Sequence, residues 1–180
     1  MPVRDSHCSA CGAPFGPDAG WPRQCEVCGT TAYRNPLPVA VALLPVRDSG
    51  GTGLVVIRRA IRPQLGRLAL PGGFVDHGES WQQAVVRELF EETGIRAPAA
   101  EVVLADAMTD EVGGYLLLFG LLPERDAAAL PPSAPTDETD GYLLLHESAE
   151  LGFPLHTRAM RRWFDDGYAP APSAPPPSGR

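Results

Sequence analysis

A glycine-rich loop running into a short acidic helix constrains this chain more than any other feature. It reads Gly72-Gly73-Phe74-Val75-Asp76-His77-Gly78-Glu79, then Ser80 to Val86, then Arg87-Glu88-Leu89-Phe90-Glu91-Glu92-Thr93-Gly94-Ile95. Acidic and hydroxyl side chains satisfy free N–H groups at a helix start, so Glu79-Ser80 with Gln82-Gln83 marks the beginning. Gly94 marks the end, because a left-handed residue after the last turn costs glycine least. Glu88, Glu91 and Glu92 stand at i, i+3 and i+4, which puts three carboxylates on one face. Trp81, Ala84, Val85, Leu89 and Phe90 form an apolar stripe for a core. Three carboxylates within a turn repel one another unless a cation intervenes, and Arg87 neutralises only part of that charge. Oxygen donors at this density suit Mg²⁺ or Mn²⁺, which keep several waters and share phosphate oxygens. A solvated charged face is the alternative for any glutamate-rich helix.

The whole pattern is Gly, five residues, Glu, seven residues, then Arg-Glu-apolar-x-Glu-Glu-x-Gly-apolar. Over the 23 residues from Gly73 to Ile95 this resembles the Nudix box without a substitution, and the chain resembles the Nudix hydrolases. The resemblance implies an α/β/α sandwich with a mixed sheet and hydrolysis of a diphosphate linkage. It also implies that Glu88, Glu91 and Glu92 hold the metal together with the main-chain oxygen of Gly73. Arg87 would then orient the glutamates, and Glu79 would brace Arg87 or serve only as a helix-start charge. Some members of the family use a box glutamate as general base and others an acid on a later loop. Glu138, in Asp137-Glu138-Thr139-Asp140, occupies such a place before the last strand; a solvated loop charge is its other reading.

All four cysteines fall in two C-x-x-C-G knuckles, Cys8-Ser9-Ala10-Cys11-Gly12 and Cys25-Glu26-Val27-Cys28-Gly29, separated by 13 residues. Each knuckle presents two sulfurs to a tetrahedral ion, so a structural Zn²⁺ on Cys8, Cys11, Cys25 and Cys28 is expected, with disulfides as the rival. His7 is a bystander, since four thiolates already close such a site. Arg4, Arg23 and Arg34 with Phe15, Trp21 and Tyr33 make a thin platform for polynucleotide, so packing or dimerisation suits the ribbon better. A ribbon ahead of the box is also the arrangement of the NADH pyrophosphatases within the family. They carry Ser-Gln-Pro-Trp after the box, whereas Arg96-Ala97-Pro98-Ala99-Ala100 follows it here. NADH specificity therefore does not come with the order of parts.

The remaining chain divides into a ribbon over residues 1–34, a catalytic domain over 35–168 and a proline-rich disordered tail over 169–180. Asn35-Pro36-Leu37-Pro38 reads as a linker. Val39 to Val46 and Leu54 to Arg59 read as a central hairpin, and 61–70 as a loop. Strands are expected over Glu101–Met108, Tyr115–Leu122 and Gly141–His146, with a short helix over Arg125–Leu130. His156–Asp166 reads as an amphipathic helix turning Met160, Trp163 and Phe164 inward. This order gives an α/β class. Arg58 and Arg59 are candidates for phosphate, although only one can face the site because strand side chains alternate. Phe74 or Tyr115 can stack on a base, with a place in the core as the alternative for each, and His77 is expected in an exposed loop.

With 44% apolar residues, a net charge of −7 and no run of 18 apolar residues, the chain carries a real core and no membrane span. Its charge disfavours nucleic acid, and its cysteine usage and first residues fit the cytoplasm. All fifteen basic residues are arginine, so arginine alone grips phosphate and no lysine chemistry operates. The sequence thus points to metal-dependent cleavage of a nucleoside diphosphate derivative such as a dinucleotide or ADP-ribose, by a chain able to form a homodimer. The competing class is a noncatalytic nucleotide sensor or a zinc-ribbon interaction module.

Overall fold

The structure, a computed structural model, describes residues 5–16 and 19–168; Arg4 and the tail expected over 169–180 lie outside the described residues. It falls into two compact units, Met1–Pro36 and Leu37–Arg180. In the first, strands β1 (Arg23–Gln24) and β2 (Thr31–Ala32) pair antiparallel beside the two knuckles. Arg23 is spent inside this unit: its guanidinium lies 4.5 Å from the Trp21 ring centroid and donates to the carbonyls of Ala19 and Asp5.

The second unit is a sandwich of two mixed sheets and two helices. Its elements in chain order are β3 (Leu37–Leu43), β4 (Pro45–Asp48), β5 (Gly51–Arg59), β6 (Leu68–Ala69), β7 (Gly72–Phe74) and α1 (Trp81–Thr93). There follow β8 (Val103–Thr109), β9 (Tyr115–Leu121), β10 (Arg125–Asp126), β11 (Thr139–Leu145) and α2 (Pro154–Asp166). One sheet runs β7-β3-β9-β8, with β3 and β9 parallel. The other runs β10-β4-β5-β11, with β6 also on β5.

The expected single apolar strand over Val39–Val46 is therefore two strands in two sheets. The β3–β9 ladder ends at Leu43–Leu121, and Pro45 has no N–H with which to continue it. Leu44 carries the chain across, buried, and β4 begins a new hairpin with β5. Pro38, read as linker, already lies in β3, and the helix expected over Arg125–Leu130 is reduced to β10 and one 3₁₀ turn over Ala127–Ala129.

Alternation along β3 builds both halves of the core. Ala40 and Ala42 join Ala84, Val85 and Leu89 of α1 in one cluster, while Val41 and Leu43 join Ala159 and Met160 of α2 in the other. Trp163 and Phe164 pack against the second cluster, as the pattern of the helix requires. Phe90 does not join the first: it is exposed, and the Arg96 guanidinium covers its ring at 3.9 Å.

Candidate active site and metal centres

The acidic helix starts and stops where local chemistry dictates. The Gln83 N–H donates to Ser80 Oγ at 3.2 Å, and the Ser80 N–H donates back to Gln83 Oε1 at 2.7 Å. Gly94 closes the helix at φ 73°. The box glycine is held by proximity rather than by a turn: a Cβ at Gly73 would stand 2.3 Å from Glu88 Oε1. Only glycine lets the backbone of β7 come this close to the carboxylate.

Packing separates three carboxylates that helical spacing treats alike. Glu92 is 2% exposed. The side chain of Glu88 is 13% exposed and that of Glu91 54%. Glu92 accepts the Gly72 N–H at 2.8 Å. Burial nevertheless pushes its carboxyl up from 4.5 to about 8, opposed by that N–H and by Arg59 and reinforced by Glu88 and Glu138. Burial also raises the Glu88 carboxyl, partly offset by Arg87.

Arg87 ties the cluster together. It grips Glu79 bidentately, Nε to Oε2 at 3.1 Å and Nη2 to Oε1 at 2.6 Å, and donates to the Phe74 carbonyl at 2.9 Å. Its Nη1 takes one oxygen each of Glu88 (Oε1, 2.8 Å) and Glu91 (Oε2, 3.0 Å). Hydrogen bonding to Arg87 holds the Glu79 carboxyl below its usual range. Glu79 is thus a brace and not merely a helix-start charge.

Arg87, Glu88, Glu91 and Glu92 line a cavity of about 960 Å³ between the two sheets' edges and the start of α2. Its wall carries seven carboxylates (Asp76, Glu88, Glu91, Glu92, Asp110, Asp137, Glu138) against three arginines (Arg59, Arg62, Arg87). A polyanion does not enter such a wall unaided, whereas divalent cations do. The donor set is all oxygen, and two of its members are charged only against burial. That fits Mg²⁺ or Mn²⁺, for which Glu88, Glu91, Glu92 and Gly73 line the cavity together.

Glu138, from the loop before β11, lines the same cavity. Its position is fixed by Thr139, which is fully buried and donates from Oγ1 to the Glu92 carbonyl at 2.9 Å. Arg59 lines the cavity as well, donating Nε to the Pro63 carbonyl at 2.8 Å and lying over the Phe153 ring. Its neighbour Arg58 does not: it is exposed and donates to the Gly66 carbonyl at 3.0 Å. Strand parity excludes Arg58 from the site. Phe74 and Tyr115, both partly open to solvent, pair at the mouth with centroids 5.9 Å apart. His77 lies in an exposed turn.

Sequence reasoning missed the wall contributed by Phe153, Leu155 and His156, and also Asp76, Asp110 and Thr136. No local pattern marks them, because they reach the cavity through tertiary contacts.

In the first unit the four Sγ atoms lie within 4.8 Å of one another. Cys8 and Cys28 are 3.7 Å apart and Cys11 and Cys25 3.6 Å, so all four are free and no disulfide forms. A tetrahedron with Zn–S bonds of about 2.3 Å has S–S edges of about 3.8 Å, so the cluster fits Zn²⁺. His7 is turned to Ser6 at 2.9 Å. Among the described residues this is the one cluster that tight.

Residues 36–165 match the NUDIX domain family model. An ADP-ribose pyrophosphatase of Methanocaldococcus jannaschii is 35% identical over 47% of this chain and 58% of its own length. The NAD-capped RNA hydrolase NudC of Salmonella heidelberg is 32% identical over 49% of this chain and 33% of its own. A NUDIX hydrolase structure from Nitrosomonas europaea superposes with a TM-score of 0.65 at 20% identity, covering 89% of this chain and 91% of that one. This chain thus spans about a third to three fifths of the curated relatives it matches. Among the described residues no helix is long and apolar enough to cross a membrane.

Proposed function

Because this chain belongs to the NUDIX domain family, we propose that it hydrolyses the diphosphate linkage of a nucleoside diphosphate derivative, with ADP-ribose or a dinucleotide as the substrate class. The observation that carries this reading is the convergence of Glu88, Glu91, Glu92, Gly73 and Glu138 on one acidic cavity. Mg²⁺ or Mn²⁺ bound there supplies Lewis-acid stabilisation of the diphosphate and a more acidic water. Glu88, Glu91, Glu92 and the Gly73 carbonyl hold the cation. Arg87 keeps Glu88 and Glu91 in place, and Glu79 keeps Arg87 in place. Arg59 meets phosphate charge on the opposite wall. Glu138 accepts the proton of the attacking water as its oxygen bonds to phosphorus and the bridging P–O bond breaks. The reaction needs no covalent intermediate, which agrees with a wall without a paired nucleophile and base. Zn²⁺ on Cys8, Cys11, Cys25 and Cys28 holds the first unit in its fold.

Incubation of the full chain with Mg²⁺ or Mn²⁺ and ADP-ribose, NADH, flavin dinucleotide and nucleoside triphosphates tests this directly. We expect two phosphate-bearing products from at least one substrate of this panel. Glu92→Gln and Glu91→Gln should each lower kcat at least about 100-fold. Glu138→Gln should lower kcat with Mn²⁺ affinity unchanged. Tight binding of a nucleotide without any cleavage refutes hydrolysis in favour of a sensor.

A further inference from the structure

His156 is a buried titratable group that the chemistry above does not use. It sits in the first turn of α2, 6% exposed, with its ring edge-on to Phe119 and tilted 48° against Phe153. The Leu70 N–H donates to its Nδ1 at 3.2 Å. A backbone N–H only donates, so Nδ1 carries no proton and the hydrogen of the neutral ring belongs to Nε2. Burial, with Arg59 nearby, lowers the imidazole from 6.5 to about 3, which keeps the ring neutral. Nε2 makes no hydrogen bond with any described residue, yet among the described residues no side-chain nitrogen or oxygen is both fully enclosed and unpaired. The Nε2 edge is therefore open to the cavity that the imidazole lines together with the carboxylates.

Phenylalanine or leucine would pack against Phe119 and Phe153 but leave the Leu70 N–H without its acceptor, so the Nδ1 edge of the ring serves the fold while the Nε2 donor is left for the cavity. A neutral donor is also a poor match for phosphate, for which Arg59 and Arg62 stand in the same wall. It suits an uncharged acceptor flanked by aromatic surface.

We infer that His156 is a specificity-determining residue, donating from Nε2 to an uncharged acceptor on the organic part of the substrate, either a base ring atom or a sugar hydroxyl oxygen. This rests on the cavity being the nucleotide site proposed above.

The test follows the imidazole itself by ¹⁵N NMR of the full chain labelled at histidine, with Mg²⁺ present, and needs no turnover. In free protein the His156 signals should show the neutral Nε2–H form throughout pH 5 to 8. Titration with AMP, ribose 5-phosphate and inorganic phosphate then separates the sources. A shift of the Nε2–H signal with AMP alone assigns a base acceptor, and a shift with both organic ligands assigns a sugar hydroxyl. A shift with inorganic phosphate as well, no shift with any ligand, or a proton on Nδ1 overturns the inference. His156→Asn keeps an acceptor for Leu70, and its shorter amide does not reach the place of the Nε2 donor. On the substrate found to be cleaved it should raise KM about 3- to 10-fold with kcat within about twofold. An unchanged KM overturns the assignment. A shift with AMP from a protein that cleaves nothing in the panel leaves His156 standing and removes the hydrolase reading instead.

Discussion

Replacing Glu92 with glutamine removes a charge from a place where burial opposes it. Glu92 is 2% exposed and its carboxyl is raised from 4.5 to about 8, chiefly by burial. Between those values the folded protein keeps a proton that the unfolded chain has released. Unfolding in that window sets a proton free, so the contribution of Glu92 to stability is present in full below pH 4.5 and is lost as pH rises to about 8. The interval is worth at most about 5 kcal/mol at 1.36 kcal/mol per pH unit. Repulsion from Glu88 and Glu138 supplies part of it and relaxes when either takes a proton, so about 2–4 kcal/mol is the working figure. Glutamine carries no charge and retains an oxygen for the Gly72 N–H. In the absence of divalent cation at pH 8, Glu92→Gln should therefore melt about 6 °C or more above the wild type, with little difference near pH 5. Added Mn²⁺ should reverse the order, because a bound cation favours the ionised carboxylate that only the wild type has. Thermal unfolding of both proteins at the two pH values, with and without Mn²⁺, reads all of this. Neutral His156 adds stability in both proteins as pH rises toward 6.5, so only their difference isolates Glu92, and a variant that does not gain on the wild type from pH 5 to 8 without cation would refute the burial argument. A variant no more stable at pH 8 would do the same.

Arg87→Lys keeps one charge but loses the planar fork that grips Glu79 while reaching Glu88, Glu91 and the Phe74 carbonyl. Steady-state kinetics should show kcat lower by about 10- to 100-fold, and full activity would refute the bracing role. Gly73→Ala drives a methyl into the Glu88 carboxylate, so Mn²⁺ affinity should fall at least about tenfold in a protein whose circular dichroism is unchanged. Purified protein should hold about one zinc per chain by elemental analysis, and Cys25→Ser, which removes a buried thiolate, should hold well under one.

How much of this was legible in the chain depends on how far each cause reaches along it. The caps of α1 are set by residues three positions apart, Ser80 with Gln83, and by one glycine, so the helix was readable to within a residue. The two C-x-x-C-G knuckles are likewise local, and so is the amphipathic stripe of α2. The break between β3 and β4 was not readable, because an unbroken apolar run looks the same whether one sheet or two receives it. Nor could spacing rank Glu88, Glu91 and Glu92: all three share a helix face, and β7 covers Glu92 while leaving Glu91 open. Parity showed that only one of Arg58 and Arg59 could serve, but which one depended on the side from which α2 closes the cavity. His156 is the clearest case. Its tautomer depends on a backbone N–H 86 positions away, and burial that only packing creates keeps it neutral. Which groups can do chemistry was legible along the chain, since helix periodicity and capping act over a few residues. Tertiary structure alone decided their burial, charge state and partners, since the dielectric around a group is set by whatever folds against it.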